Sequence, residues 1–259
     1  MTGTIATARG SPHHMTQDDV LRRVHDLILA RLPRHRPVEI LEAGGGSFSH
    51  VRVPHEARVT VLDISPEQLE RNDDADEKIL GDLEDPRVLK ADYDLVVCFD
   101  VLEHLDRPDK AFANMVAALR PGGLLVVGCP DPFSTKGLIT KFTPHAFHVW
   151  YYRSIRGDRN AGRPGYAPFP TRLRRSMGFE TLKRAARDAG LEILLAQRYV
   201  GPAVEELRAR RPVLHALYAL PALLARIVTL GRIELGETDG VMVLQRPPEA
   251  RPRQDSGAP

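Results

Sequence analysis

Three acids end consecutive apolar runs of the chain: Glu42 in EILEAGGG, Asp63 in RVTVLDIS and Asp82 in EKILGDL. Each carboxylate is an acceptor with its own use. Glu42, just before the glycines Gly44, Gly45 and Gly46, can hold the amino group of an amino-acid-like ligand. Asp63 can accept both hydroxyls of a ribose, and Asp82 can accept from an adenine amino group. Such a row suits a nucleoside without phosphates, because it repels a pyrophosphate and attracts a sulfonium cation. The glycines let a ligand lie close to bare backbone. A dinucleotide fingerprint G-x-G-x-x-G would need glycine where Ser49 stands, and the phosphate-binding G-x-x-x-x-G-K is absent. The alternative reading of the glycines is a tight turn and nothing more.

A second group that could do chemistry lies in FTPHAFHVWYYR, where His145 and His148 are three apart and can share a helical face. An imidazole titrates near neutral pH, about 6.5, and can take a proton from a hydroxyl acceptor. The two histidines are therefore candidate catalytic residues; the competing reading has both hydrogen-bonding within a lid, with Pro144 starting a short helix. A metal is not expected, since the pair has no identifiable third ligand. The aromatic residues Phe133, Phe142, Phe147, Trp150, Tyr151 and Tyr152 either wall an apolar acceptor pocket or pack on one another.

The elements that must position these groups alternate. VLRRVHDLILARL has helical spacing with Asp18 or Asp19 as its cap, and VEILEA, RVTVLDIS, EKILGDL, YDLVVCFD and GGLLVVGCP read as buried strands. Ser65 caps a helix that has Pro66 at its first position, and a helix through DKAFANMVAALR meets the fifth strand at the turn PGG. Such alternation predicts a parallel sheet covered on both faces. The rhythm breaks at about 131–175, which is loop-like and aromatic, and at 201–236. A helix near Phe179 to Ala189 and the strands LEILLAQRYV and DGVMVLQ complete the pattern. The predicted domain is 18–246, with a disordered leader over 1–17 and a disordered tail over 247–259.

With 259 residues the chain can bury a sizeable core. Its two cysteines, Cys98 and Cys129, fall inside apolar strands, so a disulfide framework or zinc site has no support and a reducing, cytoplasmic setting is expected. Net charge is only +2, but arginine is concentrated between Arg153 and Arg211. The apolar stretch 212–230, broken by Pro221 and holding Arg226, cannot span a bilayer comfortably. It is expected to be an acceptor cover, core, or a peripheral contact with a membrane or a second subunit.

EILEAGGG, VLDIS, GDL, YDLVVCFDVLEHL and LRPGG, in this order and spacing, resemble class I S-adenosylmethionine-dependent methyltransferases, particularly the small-molecule branch similar to ubiquinone-biosynthesis enzymes. The resemblance runs from about Val38 to Val127. It implies a Rossmann-like, doubly wound, mostly parallel seven-stranded sheet with an antiparallel last strand and lid insertions. It also implies S-adenosyl-L-methionine as cofactor, lined by Glu42, Gly44, Gly45, Gly46, Asp63, Ile64, Asp82, Leu83 and Phe99, with Asp100 near its methionine end. Two features depart from the family pattern: Phe48 stands where another glycine is usual, and Ser47 to Ala57 is too short and broken for the usual long helix. Glu103 and His104 read as the start of a helix. The expected reaction is methylation, chiefly of an oxygen, on a small specialised or lipid-like metabolite. A tRNA or DNA methyltransferase is the alternative suggested by the arginines, disfavoured because the N-P-P-[YFW] tetrapeptide is missing; a non-catalytic cofactor-binding module is the third reading.

Overall fold

The computed structural model describes residues 16–53 and 56–249. Most of the predicted leader and the end of the predicted tail lie outside these residues. Helix α1 (Gln17–Arg31) opens the described chain. Its cap is Thr16, not the expected Asp18 or Asp19: the Thr16 hydroxyl accepts from the Asp19 N–H at 3.2 Å and donates to the Asp19 carboxylate at 2.7 Å, a reciprocal cap. Strands β1 (Val38–Ala43) and β2 (Ala57–Asp63) follow, then α2 (Pro66–Glu70), with Ser65 capping the Gln68 N–H, and β3 (Glu77–Leu80). β4 (Tyr93–Phe99) leads through a 3-10 turn, Leu102–His104, into α3 (Pro108–Ala118) and β5 (Leu119–Pro130).

β5 begins earlier than the sequence predicts. Leu119 already pairs with Tyr93, and the ladder then shifts register, so Pro121 and the two glycines form an irregularity inside the strand, not a turn before it. The segment predicted to be loop-like holds two helices, α4 (Thr135–Phe142) and α5 (His145–Ser154). Ser134 starts α4 by accepting from the Gly137 N–H at 3.0 Å, and Pro144 precedes α5. The chain ends with α6 (Phe179–Asp188), β6 (Glu192–Tyr199), α7 (Pro202–Arg210), α8 (Pro212–Val228) and β7 (Asp239–Gln245).

The sheet order is β3-β2-β1-β4-β5-β7-β6. Every pairing is parallel except the two made by β7, so the predicted mostly parallel seven-stranded sheet with an antiparallel last strand is what forms. Alternate side chains point to opposite faces. Leu95, Val97, Leu124, Val126 and Val243 pack with Val20, Val24 and Ile28 of α1, while Leu41, Val96, Leu125 and Leu244 pack with Phe112 and Met115 of α3 and Leu182 of α6. Both faces are therefore covered. Order reverses between β1 and β4, and that reversal opens a crevice beyond the strands' carboxyl ends.

Candidate active site

The parallel register brings the strand-end acids to one edge of the sheet. Ala43 lies beside Leu62, and Asp63 beside Leu80. After β1 the chain turns through Gly44 and Gly46 at φ +73° and +59°. Side chains are strained there, and space is lacking too: a Cβ on Gly44 would sit 2.4 Å from a methyl of Val101, and one on Gly46 would sit 2.6 Å from Oε1 of Gln68. Asp63 holds this turn. Its carboxylate accepts from the Gly46 N–H at 3.0 Å and the Ser65 N–H at 2.8 Å, which still leaves each oxygen a lone pair.

Glu42 is buried, and its oxygens face the loop that follows the glycines. It accepts from the Ser49 hydroxyl, the His50 N–H at 2.9 Å and the Val51 N–H at 3.2 Å. This carboxylate braces the stretch that replaces the helix usual at this place. Asp82 lies two residues past the end of β3, in a loop and not at the strand's last residue as expected; it accepts from the Glu84 N–H at 2.8 Å. Neighbouring Leu83 is buried, with its carbonyl fixed by Asn114 of α3 at 2.8 Å. Ile64, by contrast, is 72% exposed beside Asp63. Phe99 ends β4 with its ring stacked on His50 at 5.7 Å, over Gly128, where any side chain would collide with it. A cleft of about 520 Å³ opens here, lined by Phe99, His50 and Val51 on one side and by α1 residues including Leu21 and His25 on the other.

Where β4 and β5 end, charges gather from four parts of the chain. Asp100 takes φ +54° and is reachable by solvent, yet crowding by protein holds its carboxyl above the usual range; Asp239 adds to this, and Lys136, His50 and His104 oppose it. Glu103 is buried and pushed well above the carboxylate range, by burial first and by Asp100 second. Burial alone would lower the Lys136 ammonium, but Asp239 at 2.7 Å, with Asp100 and Glu103, raises it. Oε2 of Glu103, Oγ1 of Thr135 and the hydroxyl of Tyr218 are buried without a hydrogen-bond partner among the described residues. His104 is lowered by burial, against the pull of the Pro170 carbonyl. That carbonyl lies 2.7 Å from Nδ1 and only accepts, so the ring hydrogen is on Nδ1 and the neutral ring's lone pair is on Nε2.

A family model described as a methyltransferase domain matches residues 13–196. The chain belongs to this methyltransferase family. It is 32% identical over 125 residues to the malonyl-[acyl-carrier protein] O-methyltransferase of Enterobacter lignolyticus, covering 46% of this chain and 50% of that one. It is 30% identical over 89 residues to the ubiquinone biosynthesis O-methyltransferase of Coxiella burnetii, covering 32% and 38%. The chain thus spans about half the length, or less, of these curated relatives. In fold it is similar to the [4+2]-cyclase SpnF, with a TM-score of 0.50, 18% identity and coverage of 92% of this chain and 89% of that one.

Not every predicted site residue joins the site's charged groups. His145 opens α5 and is exposed, and His148 contacts the Thr143 hydroxyl at 2.9 Å where α4 hands over to α5. The Thr143 proton goes to the Ile139 carbonyl, so His148 donates to Thr143 through Nε2. The histidines beside Asp100 are instead His50 and His104. His104 stood in the sequence as part of DVLEHL, and its helical reading hid it. Lys136 and Asp239, 103 residues apart, carry no sequence signal of their pairing. Among the described residues no group of His, Cys, Asp and Glu could hold a metal ion, and no helix is long and apolar enough to cross a membrane.

Proposed function

We propose that this methyltransferase moves the methyl group of S-adenosylmethionine onto a hydroxyl oxygen of a small acceptor with an apolar body. The observation that carries the reading is the row of carboxylates at the sheet's carboxyl edge, with Asp63 anchored to the glycine turn at one end and Asp100 beside His104 at the other. These residues fit the cofactor. Asp63 keeps a lone pair on each oxygen for the ribose hydroxyls, and an exposed Ile64, which the fold leaves uncovered, offers an apolar face to an adenine. We assign Asp82 and the backbone at Leu83, just past β3, to the adenine edge, and Phe99 with Gly44–Gly46 to the methionine end. When bound, the cofactor supplies an electrophilic methyl on a sulfonium.

Asp100 offers negative charge to that sulfonium in a crowded setting, where its attraction is stronger than in water. The chain's further task is to align the acceptor oxygen with the methyl and to accept the acceptor's proton. Methylation of a hydroxyl oxygen would release the hydroxyl proton, and the chain must supply a group to take it. We assign that proton to Nε2 of His104, ahead of His145 or His148, because its neutral form dominates near pH 7 and because it neighbours Asp100. The names of the curated relatives, both O-methyltransferases, favour oxygen. The cytoplasm suits the two buried free thiols.

The nucleic-acid reading loses weight because several arginines of the rich stretch are engaged locally. Arg172 and Arg174 pair with Asp106, Arg156 with Glu206, and Arg198 with Asp131 and Glu180. These four give less to a stripe that would follow a nucleic-acid backbone. The test is transfer of labelled methyl from S-adenosylmethionine to hydroxylated hydrophobic metabolites, to carboxylated ones, to tRNA and to duplex DNA. Hydroxylated acceptors should be labelled. Labelling confined to nucleic acid, or S-adenosylhomocysteine never formed with any acceptor although it binds, refutes the proposal.

A further inference from the structure

Helix α8 is built inside out for a water-soluble surface. His215, Tyr218, Ala219, Ala222 and Ala225, at helical spacing, are its partly covered residues, and Tyr218 reaches inward toward Lys136 and Asp239. The opposite face carries Val213, Leu217, Leu220, Leu224, Ile227 and Val228, and these six are 47–80% exposed. A surface helix normally shows the reverse order, with bulky aliphatic residues inward. The stripe extends past the helix through Leu230 and Ile233, giving a continuous apolar strip about 25 Å long in the helix alone. Exposed apolar surface of this extent marks a binding face.

The charge around the strip selects its occupant. From 207 to 233 the sequence has Arg208, Arg210, Arg211, Arg226 and Arg232 and no acid; Glu205, Glu206 and Glu234 flank the window and Arg210 pairs with Glu206, so the unpaired positive charge is carried chiefly by Arg208, Arg211 and Arg232. An isologous dimer through this face would bring these arginines toward their own copies, which like-charge repulsion opposes. A surface with apolar depth beneath a layer of negative charge meets both requirements. The absence of any spanning helix among the described residues leaves a flat, peripheral attachment.

We infer that α8 docks this methyltransferase onto anionic lipid bilayers, with Leu217, Leu220, Leu224 and Ile227 in the acyl boundary and the exposed Arg208, Arg211 and Arg232 at the phosphates. The inference goes beyond the proposed transfer reaction and does not depend on it. It is tested by sedimentation of the full chain, without acceptor, with vesicles of phosphatidylcholine alone and of phosphatidylcholine mixed with phosphatidylglycerol. The mixed vesicles should bind at least about tenfold more strongly, and added salt should weaken binding. Leu217→Gln with Leu224→Gln should reduce partition at least about tenfold. Arg211→Gln with Arg232→Gln should reduce it by roughly fivefold per arginine on mixed vesicles only. Unchanged S-adenosylhomocysteine affinity shows that each variant is folded; the arginine pair and the salt titration of the unaltered chain keep the test decisive if the leucine pair does not fold. No binding to mixed vesicles, or equal binding to both kinds, overturns the inference. A dimer of the unaltered chain in light scattering that the leucine pair dissociates also overturns it, in favour of a second copy.

Discussion

Replacing Asp63 by Asn separates two jobs that one carboxylate performs. In the free protein the side chain accepts from the Gly46 N–H at 3.0 Å, in a buried bond, and from the Ser65 N–H at 2.8 Å, in a half-buried one. An amide has a single oxygen. It serves the buried partner best by facing Gly46, and it then turns its own donors toward Ser65. One half-buried N–H loses its acceptor, at a cost of about 1 kcal/mol, the low end for an unsatisfied group, or about 2 to 4 °C in Tm for a chain of this size. Cofactor binding should suffer more. Removing the charge from hydrogen bonds to ribose hydroxyls costs about 1.5 to 3 kcal/mol, a roughly 10- to 150-fold weaker Kd. Calorimetry with S-adenosylhomocysteine and thermal melts of the free protein measure the two effects independently. Gly46→Ala is the control, because its φ of +59° and its approach to Gln68 disturb the turn and leave the carboxylate in place. If Asp63→Asn binds within about twofold of the parent while folded, Asp63 does not hold the ribose and the cofactor assignment along this edge is wrong.

Three further outcomes are expected. His104→Asn keeps a donor for the Pro170 carbonyl and lacks the base, so kcat should fall by about 100-fold with S-adenosylhomocysteine affinity unchanged, while His145→Ala and His148→Ala stay near the parent. In the parent, kcat should fall as pH drops through a value below histidine's usual 6.5 or so, since the His104 pKa is lowered and the base works only when neutral, and the Asn variant should lose this limb. Asp94→Asn should destabilise the fold by about 2 to 4 kcal/mol in denaturant unfolding, because the buried carboxylate accepts from Arg36, Arg120 and the Glu39 N–H. Those partners outweigh burial and lower its pKa, so its contribution is complete above about pH 4 and is lost as pH falls through the depressed folded value; the gap to the Asn variant should close in that range. Gly44→Ala should cost about 1 to 3 kcal/mol in the same assay, and adding Val101→Ala should recover only the part due to the clash, leaving the part due to φ +73°.

The legible elements were those whose signals are local. Ser65 and Pro66 start α2 where a cap followed by proline says they should, and DGVMVLQ is β7 from end to end, because β-branched runs bounded by turn residues need little context. The acids at the edge were legible for the same reason, since each closes an apolar run. Three features were hidden by tertiary contacts. The pairing of Leu119 with Tyr93 carries β5 back through a proline and two glycines that by themselves signal a turn. α4 lies in text dense with aromatics, and its cap, Ser134, is an ordinary loop residue until the helix exists, whereas α5 begins after Pro144, where the spacing of His145 and His148 already allowed a short helix. The acceptance of three donors by Glu42 from Ser49, His50 and Val51 depends on a loop that has no periodic pattern to read.

The same limit explains why the charged cluster escaped the sequence while the glycine edge did not. Asp100, Glu103 and His104 come from one turn after β4, but what alters their chemistry is brought by α4 and β7, through Lys136 and Asp239, and by the Pro170 carbonyl. A histidine in LEHL is unremarkable until a carbonyl fixes its hydrogen on Nδ1 and burial keeps it neutral. The insertion therefore contributes charge to this end of the sheet. Through Lys136 it supplies the cation that keeps Asp100, Glu103 and Asp239 together at one strand end, where three carboxyl groups without it would repel. Tyr218 of α8 reaches the same neighbourhood, so the helix that bears the outward aliphatic face is joined at its inner face to the charged end of the site.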